Sequence, residues 1–162
     1  MSLGVLGLIS STVFNGLVFA GVYRFVAARR KTRKMVSPDF HPPVSLLKPV
    51  HGAEPNLDAH IASFFEQDYS NFEILFCARS ANDPGLQTAR QVAARYPSIP
   101  AKFLVTGERT YINAKVSSLE KMAAAANTDI FIISDSDVRL APDYLSSIVA
   151  PLARRSVTSC RR

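Results

Sequence analysis

At 162 residues with 48% apolar side chains, the chain has room for one domain of ordinary size with a real core. A formal charge of +6 would suit a polyanion, but its distribution excludes a nucleic-acid groove. Ten of the nineteen Lys and Arg lie at the two ends, leaving nine in the body against all thirteen acids, and two cysteines offer neither metal spacing nor a disulfide framework.

The first element is an uncharged run of 21 residues, Leu3 to Tyr23, long enough to cross a bilayer as a helix. Arg24, Arg29, Arg30, Lys31, Arg33 and Lys34 follow it and no Lys or Arg precedes it, so the positive-inside rule puts the remainder in the cytoplasm. A signal peptide would carry its charge before the apolar run, and a core helix would show a wider polar face than Ser10, Ser11, Thr12 and Asn15 provide. Arg24 is expected to snorkel to the headgroups, and the basic ends read as lipid-surface contacts. The expected organisation is a membrane anchor over 1–28, a basic and Pro-rich linker over 29–43, a partial folded domain over 44–152 and a basic tail over 153–162.

Beyond the linker the pattern alternates. Val44 to Lys48 is a short apolar strand, followed by a turn at His51-Gly52 and a helix from Asn56 to Gln67, opened by Pro55, with Leu57, Ile61, Phe64 and Phe65 on one face. Glu73 to Ala78 is the second strand, and Cys77 within it reads as a small buried hydrophobe in a reducing compartment. Pro84 to Arg95 is a helix with Leu86, Ala89, Val92 and Ala93 inward, stopped by Tyr96-Pro97. Ala101 to Thr106 is the third strand, and a helix from Asn113 or Ala114 to Ala126 turns Val116, Leu119, Met122 and Ala123 inward. Asp129 to Ser134 is a fourth, buried strand, and Pro142 to Leu152 a last helix. Strands alternating with helices predict an α/β fold with a mainly parallel sheet covered on both faces. Four strands make half of such a sheet, and the ending after Leu152 reads as a domain cut short or shifted in frame.

The fourth strand ends in Ser134-Asp135-Ser136-Asp137. In extended backbone alternate side chains point the same way, so Asp135 and Asp137 can reach one hard cation together, at the carboxyl end of a strand where α/β sheets keep their ligands. The competing reading is a pair of solvated loop carboxylates, or a cap for the helix near Pro142. Asp83 before Pro84 has the form of a helix N-cap, Glu54 before Pro55 that of favourable dipole chemistry, and Lys115 that of a solvated charge. His41 and His51 have no partner at metal spacing.

In this order the pieces resemble the family-2-like glycosyltransferases of the GT-A fold, most closely the ceramide glucosyltransferase branch with its bacterial hopanoid-associated relatives. The resemblance rests on Val44-Ser45-Leu46-Leu47-Lys48-Pro49 with Gly52 to Leu57, on Phe64-Phe65-Glu66-Gln67-Asp68-Tyr69, on Phe72 to Cys77, on Asn82-Asp83-Pro84, on Ile112-Asn113-Ala114-Lys115, and on Ser134 to Asp137. It implies an anchor followed by the first, nucleotide-binding half of a Rossmann-like sheet. It also implies inverting transfer of a hexose from a UDP-sugar to a lipid hydroxyl at the cytoplasmic membrane face, glucose to ceramide or N-acetylglucosamine to a hopanoid. Pro49, Glu54, Asp83, Lys115 and Asp135 would hold the nucleotide-sugar, Asp83 and Asp135 would be the family's first two aspartates, and Asp135 with Asp137 would hold Mg2+ or Mn2+. Two departures stand out. Ala78-Arg79 replaces the acidic pair most family-2 enzymes carry after the second strand, which favours the lipid branch. The later aspartate base and the Arg/Gln-x-x-Arg-Trp motif have no counterpart in a chain without Trp, so these 162 residues are expected to bind nucleotide without turning it over. A phosphatase of the haloacid-dehalogenase type also uses Asp-x-Asp, but its motif wants Thr or Val where Arg139 stands, and places the strand early rather than fourth.

Overall fold

The computed structural model describes residues 2–35, 40–107, 113–135 and 137–153. Ile112, Ser136, the opening of the proline-rich linker, and the tail with Arg154, Arg155, Cys160, Arg161 and Arg162 lie outside them. The chain divides into two compact units.

One unit contains α1, Ser2–Met35, and the 3-10 turn Ala150–Leu152. Within α1, the 22 residues Gly7–Ala28 are long and apolar enough to cross a membrane, and every one of them is exposed. At about 1.5 Å per residue they reach roughly 33 Å, the thickness of a hydrocarbon core.

The other unit, His41–Val149, is the α/β body. Its strands are β1 Val44–Pro49, β2 Phe72–Ala78, β3 Ala101–Val105 and β4 Ile130–Ile133; its helices are α2 Leu57–Phe65, α3 Pro84–Ala93, α4 Ala114–Ala125 and α5 Tyr144–Val149. The sheet order is β3-β2-β1-β4 and every pairing is parallel. β1 and β2 are near-continuous apolar runs because both of their faces are covered. Leu47, Leu75 and Cys77 pack with Leu104 against Met122 and Leu119 of α4. On the opposite pleat, Phe76 stacks between Phe65 of α2 and Phe103 of β3, and Arg90 of α3 lies over the Phe103 ring. Cys77 is buried as expected, and burial pushes its thiol up.

Three expectations need correcting. The helix predicted to Leu152 is only Tyr144–Val149 before the chain tightens into the 3-10 turn, where Pro151 has no N–H to continue an α-helical ladder. In α4 it is Ser117, Ser118 and Met122 that are buried, while Val116 is 44% exposed, so the helix is rotated from its apolar stripe and offers small hydroxyl side chains inward. And among the described residues β4 lies at the edge of the sheet and is half-covered where a buried strand was expected: Ile132 is inside, but Phe131 and Ile133 are exposed. Their register partners Ser45 and Leu47 put them on the α4 side of the sheet, and the cover that α4 gives ends over β1.

At the amino-terminal edge of the sheet, Glu73 of β2 is a buried carboxylate that fastens the α4–β4 connection. It accepts from Ser45 Oγ at 2.7 Å, from the Asn127 backbone N–H at 2.6 Å and from Asn127 Nδ2 at 3.1 Å, and pairs with Lys102 Nζ at 3.0 Å. Burial raises its carboxyl, but the hydrogen bonds from Asn127, Ser45 and Lys102 outweigh this and hold it below the usual range.

Candidate functional site

The opposite, carboxyl-terminal edge of the sheet carries the residues with chemistry. The parallel ladder continues past the strand ends: Val50 N–H donates to the Cys77 carbonyl, Thr106 N–H to Ala78, Gly107 N–H to Arg79, and Ser134 N–H to Leu47. The residues following all four strands are thereby brought to one rim. Between them lies a cleft of about 330 Å3, walled by Pro49 at the end of β1 with Val50 and His51 after it, Arg79 after β2, Thr106 after β3, Lys115, Ser117 and Ser118 of α4, and Asp135 after β4. That volume is at the lower end for a small-molecule site.

The β1–α2 loop forms one wall. Gly52 turns it with a φ of 66°, a conformation that favours glycine, and its N–H donates to both oxygens of Asp83, at 3.0 and 3.1 Å. Asp83 is the N-cap of α3, accepting from Gly85 N–H at 2.8 Å and Leu86 N–H at 3.4 Å, with Pro84 following. One buried carboxylate thus staples the loop to the helix. The approach is close enough that a Cβ on Gly85 would stand 2.8 Å from the Gly52 carbonyl, so glycine is required there. Asp83 does not line the cleft; its Oδ2 lies 3.4 Å from Nδ1 of His51, which does.

Opposite stands α4. Asn113 caps it by accepting the Lys115 N–H at 3.0 Å, and the Lys115 ammonium reaches across to Oδ1 of Asp135. That hydrogen bond, with the ammonium's charge, holds the Asp135 carboxyl below the usual range. Both side chains are well exposed, so the pair is solvent-screened and can be exchanged for a stronger partner. β4 ends at Ile133, so Asp135 and Asp137 stand beyond the strand in a loop, and both are exposed.

Beneath this loop lies a group that strand patterning passes over. Lys48, the fifth residue of β1, is fully buried. Its Nζ donates to the backbone carbonyl of Asp135 at 2.7 Å and sits 4.0 Å from the centroid of the Phe64 ring. Burial draws its pKa down to about 8 against the raising influence of Glu54, Asp137 and Asp135, which leaves it largely charged at neutral pH.

Among the described residues no cluster of three or more His, Cys, Asp or Glu could hold a metal alone. Two exposed carboxylates of hard oxygen chemistry suit a cation that takes its remaining ligands from phosphate oxygens and water, the habit of Mg2+ and Mn2+.

The sequence model of the family described as glycosyl transferase family 21 matches residues 12–160. The chain belongs to that family. Ceramide glucosyltransferase 1 of Caenorhabditis elegans is 37% identical over 102 residues, 63% of this chain and 22% of the nematode protein. The ceramide glucosyltransferase of Komagataella phaffii strain GS115 is 30% identical over 156 residues, 94% of this chain and 31% of that protein. The chain therefore spans between about a fifth and a third of these curated relatives. The solved mannosyltransferase PcManGT from Pyrobaculum calidifontis, in complex with GDP-Man and Mn2+, superposes with a TM-score of 0.63 at 21% identity, over 83% of this chain and 41% of its own. The fold is thus that of the GT-A glycosyltransferases, as the motif order implies.

Of the residues that the family resemblance marks, Pro49, Lys115 and Asp135 line the cleft, whereas Glu54, Asp83 and Asp137 do not. The cleft adds His51, Arg79, Thr106, Ser117 and Ser118. Arg79 is visible in sequence only as a departure from an acidic pattern, and the serines only once the rotation of α4 is known.

Proposed function

We propose that this family 21 chain carries the donor half of a lipid glycosyltransferase: its cleft binds the nucleoside diphosphate of a UDP-sugar together with Mg2+ or Mn2+. The observation that supports it best is the juxtaposition of Lys115, the capped start of α4 and the exposed Asp135 on one wall of a cleft at the carboxyl edge of the sheet. A bound cation would supply electrostatic stabilisation to the departing diphosphate. The chain's own part is to hold and orient. Asp135, with Asp137 beside it, offers carboxylate oxygens to the cation, and Lys115 exchanges Asp135 for a phosphate oxygen. Asp83 fixes the loop of His51 and Gly52 against which the nucleoside lies, and Pro49 and Val50 give that loop an apolar floor. Glu54, half-buried in the same loop, is assigned to the ribose or uracil side.

The names of the relatives, ceramide glucosyltransferases, motivate a lipid hydroxyl as the acceptor, that of ceramide first, with a hopanoid as the alternative that the sequence resemblance raises. Among the described residues Asp135 is the only acid lining the cleft, and it is committed to the cation. Binding, not transfer, is accordingly the property to measure on this chain. Calorimetric titration of the detergent-solubilised protein with UDP-glucose and UDP-N-acetylglucosamine should show binding in Mn2+ that chelator weakens by about tenfold or more, and the tighter of the two identifies the donor. No binding of either sugar nucleotide in Mn2+ would sink the reading.

Attachment to a membrane with the α/β body on the cytoplasmic face is part of the proposal, and the apolar helix Gly7–Ala28 with the cations after it supports it. The protein should stay with membranes through an alkaline wash, and protease added to sealed, cytoplasm-side-out vesicles should digest the body. Recovery in the wash, or protection inside such vesicles, would contradict it.

A further inference from the structure

Asp135 and Asp137 are exposed carboxylates two residues apart beyond β4, and like charges so close in sequence repel one another when no cation is bound. Two lysines meet this loop. Lys115 approaches from α4 at the surface and touches the Asp135 carboxylate, the group that the donor reading assigns to the cation. Lys48 approaches from below, out of the centre of the sheet, and touches the Asp135 main chain instead, at 2.7 Å. That bond leaves the carboxylate oxygens unused. Lys48 is held in place by its own strand, whose register sets it beside Phe76 of β2, and by the Phe64 ring of α2. Burying an ammonium group carries a large desolvation cost, and an apolar residue of similar length would fill the same space without it. A charged group kept in such a place is accounted for by what it holds, here the main chain of the loop that carries Asp135 and Asp137, whose charges together with that of Glu54 favour its charged form.

From this geometry we infer that Lys48 is a positioning residue for the cation site: a fixed strut and buried counter-charge that shapes the loop of Asp135 and Asp137 before the cation and diphosphate arrive. Lys115 is then the movable cation of the pair, free to leave Asp135 for phosphate, while Lys48 keeps its bond to the carbonyl throughout. The inference rests on the donor-site reading above, but its first consequence needs no ligand.

The test uses the complete chain in detergent, comparing the wild type with Lys48→Met, which keeps length and apolar volume, and Lys48→Arg, which keeps charge and donors. Hydrogen exchange at the amides of residues 134–140 should quicken by about tenfold or more in Lys48→Met while β1, β2 and β3 stay protected. In the titration, affinity for UDP without metal should stay within about twofold, and the gain from Mn2+ should fall by about tenfold or more. Lys48→Arg should recover part of that gain. A purely structural lysine would instead lower thermal stability and leave the Mn2+ gain alone. Unchanged exchange in the loop, or an unchanged Mn2+ gain, overturns the role of Lys48 while the donor site stands; a wild type that binds no UDP in Mn2+ removes the donor site itself. Should Lys48→Met fail to fold, the labelled wild type decides: a through-hydrogen-bond coupling between Lys48 Nζ and the Asp135 carbonyl carbon supports the strut, and its absence at low temperature refutes it.

Discussion

Asp135→Ala should lower the Mn2+-dependent affinity of the chain for a UDP-sugar by about 100-fold or more, and should do so without loss of fold. The magnitude follows from comparison: loss of a partner that merely orients a metal ligand costs about 10- to 100-fold in metal affinity, and loss of a ligand itself lies at or beyond the upper end. The fold should survive because Asp135 is exposed and, among the described residues, its carboxylate is held by the solvent-screened bond to Lys115. Freed from that partner, Lys115 would still meet phosphate, so binding without metal should remain or even strengthen slightly. Asp137→Ala should weaken the Mn2+ effect less, since one carboxylate with waters and phosphate oxygens still holds such a cation. Equal affinities for Asp135→Ala and wild type in Mn2+ would remove Asp135 from the site.

The second large effect concerns stability. Glu73→Ala should destabilise the α/β body by about 3 kcal/mol, because it leaves the Asn127 amide, the Ser45 hydroxyl and Lys102 without their common acceptor in a buried corner. Lys102 is one-third exposed and regains water, which keeps the estimate at the lower end of the range for broken buried pairs. The sign with pH is fixed by the depressed carboxyl. Its contribution is present in full above the ordinary value of 4.5 and is lost as pH falls through the lower, folded value. Melting temperatures measured from pH 7 downward should therefore drop in the wild type once pH passes below 4.5, and Glu73→Gln should start lower and fall less over the same acid window. A Glu73→Ala protein as stable as wild type would show that the Asn127 connection is fastened by other contacts.

The sequence is legible where a residue's environment is set by its neighbours in the chain. The largely apolar runs of β1 and β2, the Asp83-Pro84 start of α3 and the Gly52 turn each carry their own local signal, and the structure has them where that signal puts them. Legibility fails where environment depends on distant partners. Phe131 and Ile133 look like core residues, and only the sheet order shows that β4 is an edge with one face uncovered by α4. The apolar stripe of α4 points to Val116, but the cleft draws the serines inward. Lys48 sits in a strand motif where it reads as one letter of a pattern, and its bond to Asp135 spans 87 positions in sequence. The ion pair of Lys115 with Asp135 spans 20. No periodicity reports either.

In the proposed donor site, nucleotide and cation meet at the cleft between Arg79, Lys115 and Asp135. Paramagnetic broadening by Mn2+ tests it most directly, read on amide and methyl signals of the isotopically labelled chain with and without UDP. The account predicts broadening centred on Asp135, Lys115 and the His51–Gly52 loop at substoichiometric Mn2+, strong with UDP present and weak without it. Broadening centred elsewhere on the body, or none at the cleft when UDP is present, would contradict it.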